Sequence, residues 1–325
     1  MKNILLFTFT FLSIITLAQE ISLSIKKDSI IIAQDSASIA QNSIVIPEVS
    51  ENNWSLKGRN SFLFNQASFS NWIGGGTNSI GWNSGLEYNL TYEDNSNLWE
   101  NILISKYGQN KTDGIGNRKI QDELNFSTNY GRKISKHWYI SAGTSLLTQF
   151  APGYKNGNNP ESERISNFLA PGYINFGAGF TYRKNENFTL TLRPTNVRWT
   201  LVLDKALQKA GNYGLEADGD NSLIQFGFWA NAMYKVKLME DIYLTSNASV
   251  ISNYLDHPER LVLLYNGRLD LKLNKYISTV LTLDLIYDHN QIKKLQTKQT
   301  IGVGLSYEFK KGKRRSEEKF QRTWR

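Results

Sequence analysis

The 325-residue chain contains no cysteine and only six prolines and three histidines. Without cysteine there is no disulfide framework, no zinc finger, no thiol nucleophile and no lipid-modified cysteine behind a leader. Outside the cytoplasm, stability would have to come from packing and hydrogen bonds. Long hydrophobic runs are also missing: Ile4–Leu17 falls short of the roughly 20 residues a spanning helix needs. A bilayer could then be crossed only by a closed barrel, because lipid offers no water to satisfy free backbone groups. Aromatic side chains are plentiful, at 12% within a hydrophobic fraction of 40%. That is too apolar for a disordered polymer and predicts a folded body.

Lys2, the apolar run and the small residue Ala18 read together as a cleavable signal peptide over 1–18. Residues 19–53 are dominated by Ser, Ile, Gln and Asp, with Ala33-Gln34-Asp35-Ser36 echoed as Ala40-Gln41-Asn42-Ser43. This composition predicts a flexible periplasmic leader.

From Trp54 to Phe309 the dominant signal is alternation with period two, which places successive side chains on opposite faces of a strand. Ile301, Val303, Leu305, Tyr307 and Phe309 oppose Thr300, Gly302, Gly304, Ser306 and Glu308. Segments 80–93 and 222–238 repeat the pattern. Twelve strands are expected, near 59–69, 79–93, 98–109, 119–132, 137–150, 165–183, 187–203, 222–237, 241–254, 261–273, 276–288 and 298–310. Many exceed the 5–6 residues typical of soluble strands and reach the roughly 9–11 that span a membrane. Short polar turns at Glu93–Asn97, Lys133–Lys136, Lys184–Glu186, Leu238–Glu240 and Asn274–Lys275 alternate with longer connections. The longer ones are Ser70–Asn78, Asn110–Arg118, Ala151–Arg164, Asp204–Asn221, Leu255–Arg260 and His289–Thr297. The fold class is therefore all-β, a transmembrane antiparallel up-and-down β-barrel of about 12 strands over 54–309, with both termini on the short-turn, periplasmic side.

Local features agree. The apolar phase of the seventh strand shifts by one residue at Pro194, which implies a bulge. Trp82, Trp99, Trp138 and Trp199 lie near strand ends, as an interfacial girdle requires. Gly304, Tyr307 and Phe309 sit in a final segment that resembles the C-terminal signal presented to the outer-membrane barrel assembly machinery. A 16-residue tail follows it.

Particular motifs also resemble a family. Phe64-Asn65-Gln66-Ala67-Ser68-Phe69-Ser70-Asn71-Trp72 with Gly74-Gly75-Gly76-Thr77-Asn78-Ser79, then Trp99-Glu100-Asn101 and Lys106-Tyr107-Gly108, is similar to the DUF3078 family of Gram-negative outer-membrane barrels. Ile165-Ser166-Asn167-Phe168-Leu169-Ala170-Pro171-Gly172-Tyr173, Ser252-Asn253-Tyr254-Leu255 and Asn274-Lys275-Tyr276-Ile277-Ser278 extend the likeness. The resemblance implies an outer-membrane location, with outer-membrane lipids as surroundings. It brings no activity and no catalytic residues.

The candidate lumen lining carries charges of both signs: Glu87, Glu123, Arg193, Arg198, Lys235, Arg268, Asp270, Lys272, Asp284 and Glu308. These side chains could line a narrow pore for small solutes, or pair into a network that fills a structural or surface-binding barrel. A membrane-embedded phospholipase or acyltransferase is the alternative from another class. It needs a serine nucleophile and a histidine base in reach, and the residues that follow the histidines, in His137-Trp138-Tyr139, His257-Pro258-Glu259 and His289-Asn290-Gln291, include no serine. Glu216, Asp218, Asp220 and Asn221 are hard oxygen ligands but lack the full calcium-loop pattern. Glycines 74–76 and Gly114-Ile115-Gly116 lack the Lys-Ser/Thr that a phosphate loop needs. No cofactor is expected.

The formal charge of +8 would suggest an acidic partner, but the tail Lys310–Arg325 alone carries eight basic and two acidic residues, and Lys2 adds one more positive charge. The stretch 19–309 is left near neutral, so nucleic acid loses its support as a partner. In the periplasm the tail would meet anionic headgroups or cell-wall polymer.

Overall fold

The computed structural model describes residues 53–312 apart from 69–76, 158, 160–162, 211, 216–218 and 290–291. In chain order the strands are β1 (Trp54–Ala67), β2 (Ser79–Glu93), β3 (Asn97–Thr112), β4 (Gly116–Lys133), β5 (Trp138–Thr148), β6 (Gly153–Tyr154) and β7 (Arg164–Ser166). There follow β8 (Gly172–Asn185), β9 (Phe188–Leu201), a short helix α1 (Lys205–Lys209), β10 (Ser222–Met239), β11 (Ile242–Asn253), β12 (Val262–Lys272), β13 (Ile277–Asp288) and β14 (Ile292–Gly312). All but β6 and β7 close into one antiparallel barrel of twelve strands, in which β1 pairs with β14.

Period-two alternation builds this barrel directly. Phe62 lies opposite Leu305 and Phe64 opposite Val303 across the closing seam. All four point outward and are exposed, as are Ile301 and Tyr307. In water such a patch would invite aggregation; around a closed barrel it is the lipid contact. The intervening positions of β1 and β14, including Arg59, Ser61, Thr300, Ser306 and Glu308, turn inward. Aromatic side chains collect at both ends. Trp54 packs against Trp99 (ring centroids 5.7 Å apart), and Trp138 packs against Tyr182 (5.1 Å), near the termini end. Trp82 and Trp199 lie toward the far end, Trp82 stacked on Phe62 at 5.8 Å.

The bulge expected at Pro194 is present. Pairing of β9 with β8 and with β10 skips a residue around Pro194 and Thr195, where proline needs to donate no ladder hydrogen bond. Several boundaries differ from the sequence expectation. β3 runs on to Thr112 and β4 begins at Gly116, so most of Asn110–Arg118 is ladder; β14 begins at Ile292, so most of His289–Thr297 is as well. Both hairpins are tight, and the strict alternation of short and long connections does not hold. Polar stretches without alternation still pair when both faces meet water, and Gly114 and Gly116, at φ 77° and 88°, supply the turn between β3 and β4. The strand expected over 165–183 is divided. Asn167 and Ala170 bridge to each other around Leu169, which has φ 49°, and the barrel strand starts only at Gly172. β14 also continues past Phe309, with Lys310 opposite Lys57 and Gly312 opposite Ser55.

The expected signal peptide, the leader up to Asn52, glycines 74–76 and the tail from Lys313 lie outside the described residues. No helix among the described residues is long and apolar enough to cross a membrane.

The closing seam leaves no room at Gly304, where an added Cβ would lie 2.1 Å from the Phe62 carbonyl oxygen. Gly304→Val should destabilise the refolded barrel by about 1–3 kcal/mol, read as a lower urea midpoint. At Gly302 an added Cβ meets only the Leu63 side chain, at 3.0 Å, so Gly302→Ala should shift the midpoint by less.

Candidate functional site

The ten charged residues expected in the lumen all stand on barrel strands with their side chains on the inner face. Five of them join two further residues in one continuous set of contacts. Arg59 on β1 donates through Nη1 to Asp270 Oδ1 on β12 at 2.6 Å, and Arg268 donates through Nε to Asp270 Oδ2 at 3.0 Å. Arg268 also reaches Glu87 on β2, which takes Lys106 of β3 at 3.3 Å. Lys272 Nζ donates to Glu308 Oε2 at 2.6 Å, and Arg59 Nε lies 4.0 Å from Glu308 Oε1. Strands β3 and β12 are separated around the barrel by β2, β1, β14 and β13. The contacts therefore run as a chord across the lumen.

The chord is packed: Asp270 is 3% exposed and Arg59 7%. Removing charges from water costs several kcal/mol per ion, which mutual attraction offsets only when the geometry is good and the remaining polar sites are filled. Asp270 meets this condition with a guanidinium on each oxygen. The arrangement adds modestly to stability and specifies strongly which strands face one another.

A second crossing closes the termini end. Glu186, in the β8–β9 turn, accepts from Lys57 of β1 at 2.8 Å and lies 3.5 Å from Lys310 of β14. The hydrogen bond from Lys57 holds the Glu186 carboxyl below its ordinary range against some loss of hydration. Its folded-state pKa is depressed, so the contribution of this latch is present above the usual glutamate pKa and is lost as pH falls through the lowered value. Just inside, Arg183 of β8 donates to Glu100 of β3 at 2.9 Å.

On the other side of the chord the lumen widens into a cavity of about 610 Å³, lined among others by Lys106, Glu123, Asn125, Tyr173, Asn247, Ser249, Asp284 and Lys298. Lys298 of β14 donates across it to Gln121 of β4 at 2.6 Å. Beyond Lys298 lies another cavity, about 470 Å³, lined by Arg118, Lys119, Tyr154, Lys155 and Tyr213. Beside the far mouth, Ala170, Val202, Leu207 and Leu215 form a small apolar core between the β5–β8 and β9–β10 connections. Asp204 caps α1 through the backbone N–H groups of Ala206 and Leu207 and accepts from Arg164 at 2.6 Å and from Asn167 at 2.9 Å. Burial opposes its charge, yet the donors from Asn167 and Arg164 hold it below the usual aspartate range.

Residues 64–154 match the family described as "Protein of unknown function (DUF3078)". No curated protein matches the chain in sequence. Among solved structures, the chain is similar to the translocator domain of autotransporter NalP from Neisseria meningitidis, with 11% identity, a TM-score of 0.34 and coverage of 89% of this chain and 96% of that one. It is similar to an outer membrane channel from Pseudomonas putida F1, with 9% identity, a TM-score of 0.37 and coverage of 83% and 100%.

Not every expected residue joins the chord. Glu123 and Asp284 line the wide cavity instead, and Asp284 accepts from Asn266. Arg193, Arg198 and Lys235 stand on the opposite wall, over Trp229 at 4.7 Å, Tyr173 at 4.5 Å and Tyr243 at 5.8 Å. Of the suggested assembly segment, Tyr307 faces outward and exposed, and Phe309 packs against Tyr88 at 6.0 Å. In the candidate calcium loop, Glu216 and Asp218 lie outside the described residues. Sequence reasoning missed Arg59, Lys106 and Lys298. Arg59 shares the inward phase of Ser61 and Leu63, against Phe62 and Phe64, and alternation carried back to Trp54 would have found it.

Loss of one member of the chord should cost far more than loss of the latch. Arg268→Met leaves Glu87 and Asp270 short of a partner in the interior and should destabilise by about 3–5 kcal/mol. Glu186→Gln, at a mouth where all three partners are roughly half exposed, should cost about 0–1 kcal/mol. Urea unfolding of the refolded barrel measures both.

Proposed function

We propose that the protein is an outer-membrane barrel with a passive role, closed across its lumen and presenting a solute-sized vestibule at its far mouth. The observation that carries this reading is the chord from Lys106 through Glu87, Arg268, Asp270, Arg59 and Glu308 to Lys272, buried at its centre. A water-filled conducting path would leave such side chains solvated, whereas Asp270 and Arg59 are buried. The amides, tyrosine and charges around the cavity beyond the chord suit a small polar solute.

The outward apolar band and the aromatic belts support residence in the outer membrane. Five tight turns, at 94–96, 134–137, 186–187, 240–241 and 273–276, share one end with both strand termini, which supports a periplasmic placement of that end. On this reading the signal peptide is removed after Ala18, the assembly machinery recognises the β14 segment around Gly304, Tyr307 and Phe309, and the basic tail meets anionic polymer or headgroups in the periplasm.

A planar bilayer tests the closed state. The refolded barrel should give no steady current steps, and the paired substitution Glu87→Gln with Arg268→Gln, which removes one buried charge of each sign, should produce them. Steps in the wild type that the paired variant leaves unchanged would mean a pore in which the chord plays no part.

A further inference from the structure

Five consecutive strands of the barrel, β5, β8, β9, β10 and β11, contain no aspartate or glutamate. Every carboxylate on the barrel strands stands on β2, β3, β4, β12, β13 or β14. The lumen therefore has an acid-free wall whose inward cations have no carboxylate neighbour along that wall. Arg183 reaches across to Glu100, and Arg193 donates to Asn129 at 3.1 Å. Among the described residues Arg198 has neither kind of contact. Among the described residues no carboxylate lies within ion-pairing distance of it, its Nε has no hydrogen-bond partner, and it is only 8% exposed.

A buried guanidinium normally has anionic or carbonyl oxygens on its N–H groups, because losing water without replacement is costly. One face of Arg198 is occupied by the Tyr173 ring at 4.5 Å, and Tyr173 itself lines the 610 Å³ vestibule. Stacking leaves the in-plane N–H groups of a guanidinium still needing acceptors. On another side Arg198 lines a cavity of about 20 Å³ together with Arg260, Gln225, Asn253 and Asp256. Arg260 is half-buried and also lacks a carboxylate within ion-pairing distance among the described residues. The Asp256 side chain is 65% exposed, with His257 Nε2 at 3.9 Å, so solvent screens it. Two cations thus converge on one cavity beside the vestibule, and the carboxylates nearest them, Asp256 and Glu259, stand on the exposed β11–β12 connection.

We propose that Arg198, supported by Arg260, anchors an anion site in the small cavity they share beside the vestibule, which takes the carboxylate or phosphate group of a small organic solute. The planar fork of a guanidinium matches both groups bidentately. The inference rests on the vestibule of the proposed function and names the class of solute it would hold.

Isothermal titration of the full-length barrel in detergent micelles tests it, with inorganic phosphate and succinate as separate probes against sodium chloride at matched ionic strength. Saturable binding of one or both is expected, and the probe that binds assigns the group. Arg198→Gln should weaken it at least tenfold, Arg198→Lys should weaken it less, and Lys184→Gln, on the same wall near the termini end, should leave it unchanged. All variants are first matched to the wild type for heat-dependent gel mobility. Should Arg198→Gln fail that match, Arg198→Lys and Arg260→Gln carry the test, each expected to weaken binding. Unchanged binding in the folded Arg198 variants, or no saturable binding of either probe to the wild type, would overturn the site. Binding in micelles does not depend on conductance. A barrel that conducts yet loses anion binding on Arg198→Gln would refute the closed lumen while keeping the site, and a silent barrel that binds neither probe would do the reverse.

Discussion

Closure of the backbone is the constraint on which the rest of this structure depends. In lipid an unpaired N–H or C=O has no water to turn to, so a strand edge cannot be left open. The pairing of β1 with β14, from Ser55 opposite Gly312 to Phe64 opposite Val303, removes the last edge. Closure then fixes everything inside. It gives the barrel one inner face, forces alternate residues of every strand into a narrow shared space, and brings together side chains as distant in sequence as Glu87 and Arg268.

Charge in that space is distributed unevenly. The wall made by β12, β14, β1, β2 and β3 holds carboxylates and cations in near balance, and they satisfy one another in the chord. The wall made by β5 and β8 to β11 holds cations without carboxylates, and these rest on aromatic rings or reach across the lumen. The first arrangement accounts for a closed middle, and the second for a guanidinium left unpaired beside the vestibule. Both follow from where Asp and Glu fall along the chain and from the order in which the strands are joined, so neither depends on a single contact.

Much of the fold was legible in the sequence because lipid outside and water inside impose opposite chemistry on neighbouring residues. Ile301, Val303 and Leu305 against Thr300, Gly302 and Gly304 could be read as a strand with two environments. The bulge at Pro194 showed as a slip in the same rhythm. Where strands leave the membrane the rhythm stops but the hydrogen bonding does not, which is why Asn110–Arg118 and His289–Thr297 looked like loops and are mostly ladder. The inward charges could be named, but their partners could not. Whether Arg268 meets Glu87, 181 residues away, depends on the register of every ladder between them and on the curvature of the closed sheet, and neither is a local property of the sequence.

The absence of native cysteine allows a direct measurement of closure, since a single introduced thiol is the only one in the chain. Ser249→Cys places it in the vestibule on the far side of the chord, and Thr189→Cys places it in the small cavity at the termini end. With a membrane-impermeant maleimide added outside intact cells, the account predicts labelling of the Ser249 variant and protection of the Thr189 variant, with both labelled after unfolding. Equal labelling of the two from outside would contradict a lumen closed by its own charges.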